Sequence, residues 1–389
     1  MSTEDKKDST ADLQKQLEEE MRRMQTEATE KTTNQPESSH HHPHSGKKRK
    51  HSNKKKLPVW AKILIAALCV IVLAIGGIYV YAQLTLNKIH KVDPTEITKV
   101  DPAEETFDVD PETTPNPELP VVDEATVQWP EADTNIMQDG DVVNILLVGQ
   151  DKRSGEERQR SDTNIVLTIN KAQNTIKVTS IMRDLYVQIP GYSDNRINAA
   201  YQFGGFSLLD QTIETNLSLH IDANVEVDFD GFTQMIDAID GVDIELNDTE
   251  VLYFNSNMGH SYTAGINHMS GAEALEYARC RSVGNSDWRR TERQRTVIMA
   301  VFDKLKGESL STLMGLADTI LPLITTDMSN NQILGYVYTV ATMGASEMES
   351  YRLPVEGTYS NVTLSKGMEV LMPDLGQNRM YLKQYIYGE

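Results

Sequence analysis

Hydrophobic positions along the chain fall into distinct textures. The run LPVWAKILIAALCVIVLAIGGIYVY, residues 57–81, is almost unbroken, and Ile63 to Tyr81 holds no charge. That length spans a bilayer as a helix. From residue 142 short apolar runs alternate with helix-spaced patterns. VVNILLVG (142–149), NIVLTIN (164–170) and TIKVTSI (175–181) predict strands, the last with Ile176 and Val178 on one face. VEVDF and VDIEL predict two more. Between them, DGFTQMIDAID sets Phe232, Met235, Ile236 and Ile239 at helical spacing. Ser270-Gly-Ala-Glu273 is a capping box opening a helix through Ala278. Such alternation predicts one domain over 142–389, a sheet with helices on both faces.

The other segments lack this patterning. Residues 1–56 are polar, and their amphipathic piece (Leu13, Leu17, Met21, Met24) is too short to hold as a helix alone, so a disordered tail is expected. Residues 82–141 contain seven of the fourteen prolines and three basic residues against fifteen acidic ones. Self-repulsion and proline predict an extended stalk there.

Charge orients the apolar run. KKRKHSNKKK, residues 47–56, has seven Lys/Arg and no acid, whereas the far side is acidic. The positive-inside rule places residues 1–56 in the cytoplasm and 82–389 outside, with Trp60, Tyr79 and Tyr81 at the two membrane interfaces. Val80-Tyr81-Ala82 resembles a signal-peptide cleavage site, but the run exceeds a typical h-region and 56 residues precede it. Adjacency to the span favours membrane lipids over nucleic acid as partner of the basic stretch. Residues 142–389 carry 20 Lys/Arg against 32 Asp/Glu, and their scattered aromatics offer no base-stacking surface, which argues against nucleic acid as a partner of the domain. Cys69 and Cys280 lie in segments too different to pair. The tract His40-His41-His42-Pro43-His44 has no Cys or carboxylate to complete a metal site.

Candidate chemistry lies in the arginines. Eleven of the thirteen in residues 142–389 fall in four stretches: DKRSGEERQRSDT (151–163), Arg183 to Arg196, ARCRS (278–282) and GNSDWRRTERQR (284–295). The planar guanidinium binds phosphate bidentately and stays charged when desolvated. On a helical wheel Arg290, Arg293 and Gln294 continue the apolar face of Val297 and Val301, whereas Arg289 and Arg295 point to solvent. Inward guanidiniums need anionic partners, either internal carboxylates or a bound anion. Carboxylates are supplied by Asp151, directly after the first strand, where open α/β sheets place ligands, and by Asp162 in Arg160-Ser161-Asp162-Thr163. They suit Mg²⁺ beside phosphate, or pair with Arg153, Arg158 and Arg160. HExxH, CxxC, G-x-S-x-G and P-loop motifs are absent from the sequence. His220, His260 and His268 are isolated, and Cys280 reads as a small core residue.

In order, NILLVGQDKR, RSDT, SIMRDLYVQIPG, RINAAYQFGG, VDFDGF, GVDIEL, SGAEALEYARCRS and DWRRTERQR resemble the LytR-CpsA-Psr family of bacterial cell-envelope proteins. The likeness is dense from 142 to about 306 and returns in the C-terminal stretch. It implies a three-layer α/β/α sandwich around a mixed sheet, preceded by one transmembrane helix. It further implies a membrane-bound phosphotransferase moving a glycan phosphate from a polyprenyl-pyrophosphate carrier to a peptidoglycan hydroxyl. By the family pattern Asp151 and Asp162 hold Mg²⁺, with Mn²⁺ an alternative ion. Asp162, Asp151 and Arg183 form the catalytic set, and Arg183, Arg279, Arg281, Arg290, Arg293 and Gln294 face the pyrophosphate. Gln150, Met182 and Arg196 depart from commoner family residues and leave the charged positions in place. The alternatives are a pyrophosphatase using water as acceptor, and a non-enzymatic envelope regulator.

Overall fold

The computed structural model describes residues 76–388 except 95–98, 106–115, 132–134, 151–157, 285 and 346. The polar tail, the apolar run as far as residue 75, and Asp151 lie outside the described residues. Among those described, no helix is long and apolar enough to cross a membrane. The end of the apolar run is helical where it is described, over 76–86.

Seven strands join in the order His90–Lys91, Thr325–Thr326, Ala223–Asp228, Val142–Gln150, Ser161–Asn170, Thr175–Ile181, Met348–Leu353. The sheet is mixed. Val142–Gln150 runs parallel to Ala223–Asp228 and antiparallel to Ser161–Asn170. Thr175–Ile181 is antiparallel to Ser161–Asn170 and parallel to Met348–Leu353. Period-two alternation sends Val143, Ile145 and Leu147 to one face, against Ile333, Tyr336 and Val340 of the helix Asn330–Met343. Leu146 and Val148 turn to the other face, against Phe203 and Leu209 of the helix Ile197–Leu217 and Leu382 of the helix Leu375–Tyr387. Burial on both faces explains why these central strands read as continuous apolar runs.

A second core builds a cap beside the sheet. It comprises the hairpin Val242–Leu246 with Gly265–Met269 and the helices Phe229–Ala238, Asp248–Met258, Gly271–Arg279 and Ser286–Leu305. In VDIEL the pattern is literal: Val242, Ile244 and Leu246 are buried, Asp243 and Glu245 exposed. Both halves of the Ser270 capping box form. Gly271 then sits against the Thr233 carbonyl, where a β-carbon has no room, so two cap helices approach closely.

In the acidic segment 82–141, expected as a stalk, several described stretches pack on the domain. His90–Lys91 extends the sheet, and Val121–Val122 pairs with Thr363–Leu364. The Val100 N–H donates to the Phe203 carbonyl, and the Tyr192 hydroxyl donates to the Val100 carbonyl at 2.6 Å. Trp129 Nε1 donates to Asp194 at 2.6 Å. The physical reason lies in the few apolar residues between the acids and prolines: Val100, Val122, Trp129 and Met137 each cover apolar surface of the domain.

Candidate active site

Val142–Gln150, Ala223–Asp228 and Thr175–Ile181 run in one direction, so their carboxyl ends meet at one edge of the sheet. There Gly149 pairs with Thr163 and Gln150 with Ser161, which leaves Asp162 as the extra residue of a β-bulge. A bulge re-aims a side chain out of the ladder. Close packing at Gly149 favours this geometry, because a β-carbon there would lie 3.0 Å from Thr163 Cβ.

Arg183 follows the strand Thr175–Ile181 at the same edge. Its Nη1 lies 2.7 Å from Asp162 Oδ1 and its Nε 3.4 Å from Asp184 Oδ2. Asp184 also receives Arg196 at 3.1 Å. Burial alone would weaken the Arg183 proton, but Asp184 and Asp162 outweigh it and hold the proton more tightly than in free arginine. Arg290, from the helix Ser286–Leu305, is 4% exposed and places Nη2 3.1 Å from Asp287 Oδ1. Asp287 also lies 3.6 Å from Arg281 Nε. Burial, with Arg183 and Arg281 nearby, pushes Arg290 down to about 10, which Asp287 offsets only in part. Arg290 Nε has no hydrogen-bond partner among the described residues. Arg279 lays its guanidinium over the Phe229 ring, 4.4 Å from the centroid.

Asp162, Arg279, Arg281 and Arg290 border a cavity of ≈ 750 Å³ between sheet and cap, whereas Arg183 stands behind Asp162 and is not part of its lining. Its walls are apolar: Leu147, Ile165 and Val225 from the sheet, Phe232, Met235, Ile236 and Ile239 from one cap helix, Val297, Val301 and Leu305 from another. Asp162, Arg279, Arg281, Arg290 and Gln294 also line it. The cavity therefore suits an amphiphile, a long apolar body with an anionic group placed at the arginines. Asp162 presents one carboxylate to it. Among the described residues no group of three or more His, Cys, Asp or Glu gathers to hold a metal ion. Mg²⁺ takes one or two carboxylates and completes its shell with water and phosphate oxygens, so Asp162 fits such an ion in company with a bound phosphate.

The structure corrects two expectations, the pyrophosphate role of Arg293 and the exposure of Arg295. Arg293 points inward as expected, but away from the cavity: Nε and Nη2 donate to Glu250 Oε1 at 3.1 and 3.0 Å, Nη1 to the Cys280 carbonyl and Nη2 to that of Val283. Its partner is an internal carboxylate, and its geometry supports no grip on a pyrophosphate. Arg295, expected in solvent, is 7% exposed and donates to Ser180 Oγ at 2.8 Å and Ser350 Oγ at 2.6 Å. Arg289 is exposed beside Glu292. Asp287 and Asp184 were missed. Asp287 had a readable signal, its position three residues before Arg290 on one helix. The apolar stripes of the cap had none, since a stripe facing a cavity has the same spacing as one facing a core. Cys280 is buried in the cavity wall, and His220, His260 and His268 sit beside carboxylates without lining the cavity.

The LytR_cpsA_psr family model matches residues 115–380. A polyisoprenyl-teichoic acid–peptidoglycan teichoic acid transferase, TagU of Bacillus mycoides (strain KBAB4), is 38% identical over 196 residues, 49% of this chain and 62% of its own. The chain thus spans less than two thirds of the length of that relative. The regulatory protein MsrR of Staphylococcus aureus (strain COL) is 28% identical over 63% of this chain and 74% of its own. Among solved structures, TagT bound to LI-WTA aligns with a TM-score of 0.54 at 26% identity, covering 67% of this chain and 96% of that one.

Proposed function

We propose, from the premise that this chain belongs to the LytR_cpsA_psr family, that it is a membrane-anchored phosphotransferase that moves a glycan phosphate from a polyprenyl-pyrophosphate carrier to a hydroxyl of peptidoglycan. The observation that carries this reading is the apolar cavity lined at one place by Asp162, Arg279, Arg281 and Arg290. A polyprenyl chain matches the apolar walls, and a pyrophosphate matches guanidiniums whose internal carboxylates leave Arg290 under-compensated. The name of TagU gives a polyisoprenyl-linked teichoic acid as donor and peptidoglycan as acceptor. The uncharged run 63–81 and the basic stretch before it support a span that leaves the domain outside the cell.

In the reaction the acceptor oxygen attacks the phosphorus attached to the glycan, a new P–O bond forms, and the bond to the polyprenyl phosphate breaks. The hydroxyl proton passes to a base, a role for whichever of Asp162 and Asp151 is not engaged by the metal. Arg290, Arg281 and Arg279 neutralise charge on the departing polyprenyl phosphate, and Arg183 holds Asp162 in place. Asp162 with Asp151 would hold Mg²⁺, which adds a further positive charge at the phosphate oxygens.

The test is reconstitution of the purified full chain with Mg²⁺, a labelled polyprenyl-pyrophosphate glycan and peptidoglycan. Label bound to peptidoglycan is expected. Label released as free glycan phosphate favours the pyrophosphatase, and intact substrate contradicts both enzymatic readings.

A further inference from the structure

The helix Asn330–Met343 covers the sheet with Ile333, Tyr336, Val340 and Met343. Its opposite side presents Asn331, Gly335, Tyr338 and Thr342, flanked by Val337 and Ala341, and all six are exposed. Tyr338 is 71% exposed and Val337 60%. Single exposed apolar residues are ordinary. Here they stand on a helix without a charge, and none occurs from Met328 through Ser346 in a chain that is 24% charged. A helix face turned to water normally carries charged residues. Tyrosine among small and aliphatic neighbours suits the headgroup layer of a membrane, where one end of the ring is wet and the body is not.

The chain's own path identifies the occupant of this face. Asn331 Oδ1 accepts from the Tyr79 hydroxyl at 3.3 Å and from Gln83 Nε2 at 3.1 Å. Asn330 Nδ2 donates to Gln83 Oε1 at 3.0 Å and to Asn87 Oδ1 at 2.8 Å. Successive turns of the helix over 76–86 are thereby pinned to the start of Asn330–Met343. That helix is the end of the uncharged run beginning at Ile63, and its Ile78, Val80 and Leu84 are exposed. Resting on the membrane-anchored reading above, we propose that the outer face of Asn330–Met343 lies on the lipid bilayer, with Tyr338 and Val337 in the headgroup layer. This surface fixes how the domain sits on the membrane and goes beyond the transfer chemistry.

Two measurements on the full chain in phospholipid vesicles decide the point. A fluorophore placed by Tyr338→Cys, with Cys69 and Cys280 replaced by Ser, is expected to be quenched by lipids brominated near the headgroup. The same label placed by Leu252→Cys, on an exposed site of the helix Asp248–Met258, is expected to stay unquenched. Equal quenching at both sites overturns the proposal, and so does an unquenched 338 label that cross-links to a second copy of the chain. The second measurement rests on the transferase reading. Y338E is expected to lower transfer from vesicle-borne substrate about tenfold while leaving a short-chain, water-soluble substrate unaffected, because a charge in the headgroup layer costs docking and not chemistry. Equal loss on both substrates overturns the proposal. Failure of the wild-type chain to turn over either substrate overturns the transferase reading, and the quenching result then stands by itself.

Discussion

Arg183 and Asp162 meet at 2.7 Å, Nη1 to Oδ1, across the edge where the central strands end. The contact fixes a bulged carboxylate against a guanidinium that cannot lose its charge. Arg183→Lys keeps the charge and loses the fork that also reaches Asp184. We expect kcat for transfer to fall about 10²-fold, in line with a misplaced catalytic carboxylate, with little change in KM. Steady-state transfer kinetics check this, and an unchanged kcat removes Arg183 from the positioning of Asp162.

Burial, Arg183 and Arg281 all disfavour the charge of Arg290, so an anion bound in the cavity it lines would relieve it. Inorganic pyrophosphate should therefore raise the melting temperature of the wild-type chain, and at a hundred times Kd the gain is about 2.7 kcal/mol. Arg290→Gln should abolish most of that shift without lowering the ligand-free melting temperature. Thermal unfolding with and without pyrophosphate reads both effects, and an equal shift in the variant contradicts the assignment.

Arg293 is expected to behave in the opposite way. Arg293→Ala leaves Glu250 buried without its cation and frees the Cys280 and Val283 carbonyls, a loss of about 3–5 kcal/mol. Transfer per folded molecule should be retained. Denaturant unfolding alongside an activity assay separates the two, and a stable but inactive variant returns Arg293 to the substrate site.

These residues mark how far the sequence could be read. Strands, the Ser270 capping box and the cap helix Phe229–Ala238 follow from local periodicity and local hydrogen bonding, which a window of ten or so residues contains. The Arg293–Glu250 pair spans 43 positions, and Arg295 reaches Ser180 across 115. A helical wheel also assumes one buried face, whereas the helix Ser286–Leu305 packs against the cap on one side and against strands Thr175–Ile181 and Met348–Leu353 on another. Arg295 is buried on that second side. The arginines facing the cavity were legible because anion chemistry restricts residue type; the cavity itself was not.

Asp210 gives the domain a pH dependence of its own. Burial, with Asp327 and Glu214 adding to it, lifts this carboxyl from 3.8 to about 8, although Asn224 Nδ2 donates to it. The folded chain thus keeps a proton that the unfolded chain releases. The stability contribution is full below pH 3.8 and is lost as pH rises toward about 8. Asp210→Asn should gain stability relative to wild type as pH rises from 5 to about 8 and gain no more above it. Melting temperatures at a series of pH values test this, and a constant difference between the two proteins contradicts it.

Val301 lies in the apolar wall on the same helix as Arg290. Val301→Trp narrows the cavity without touching the arginines. Long-chain polyprenyl substrates should lose affinity by about tenfold or more, since each methylene kept from burial forfeits about 0.8 kcal/mol. Pyrophosphate alone should still raise the melting temperature. Equal affinity for long and short chains in the variant would place the lipid elsewhere.

The most direct test of the central claim is ³¹P NMR of the product formed when the full chain meets a polyprenyl-pyrophosphate glycan and peptidoglycan. Wild type should yield a phosphodiester on peptidoglycan together with polyprenyl monophosphate, and Asp162→Ala should yield neither. A phosphodiester formed undiminished by Asp162→Ala, or a wild-type product consisting only of free glycan phosphate, would contradict it.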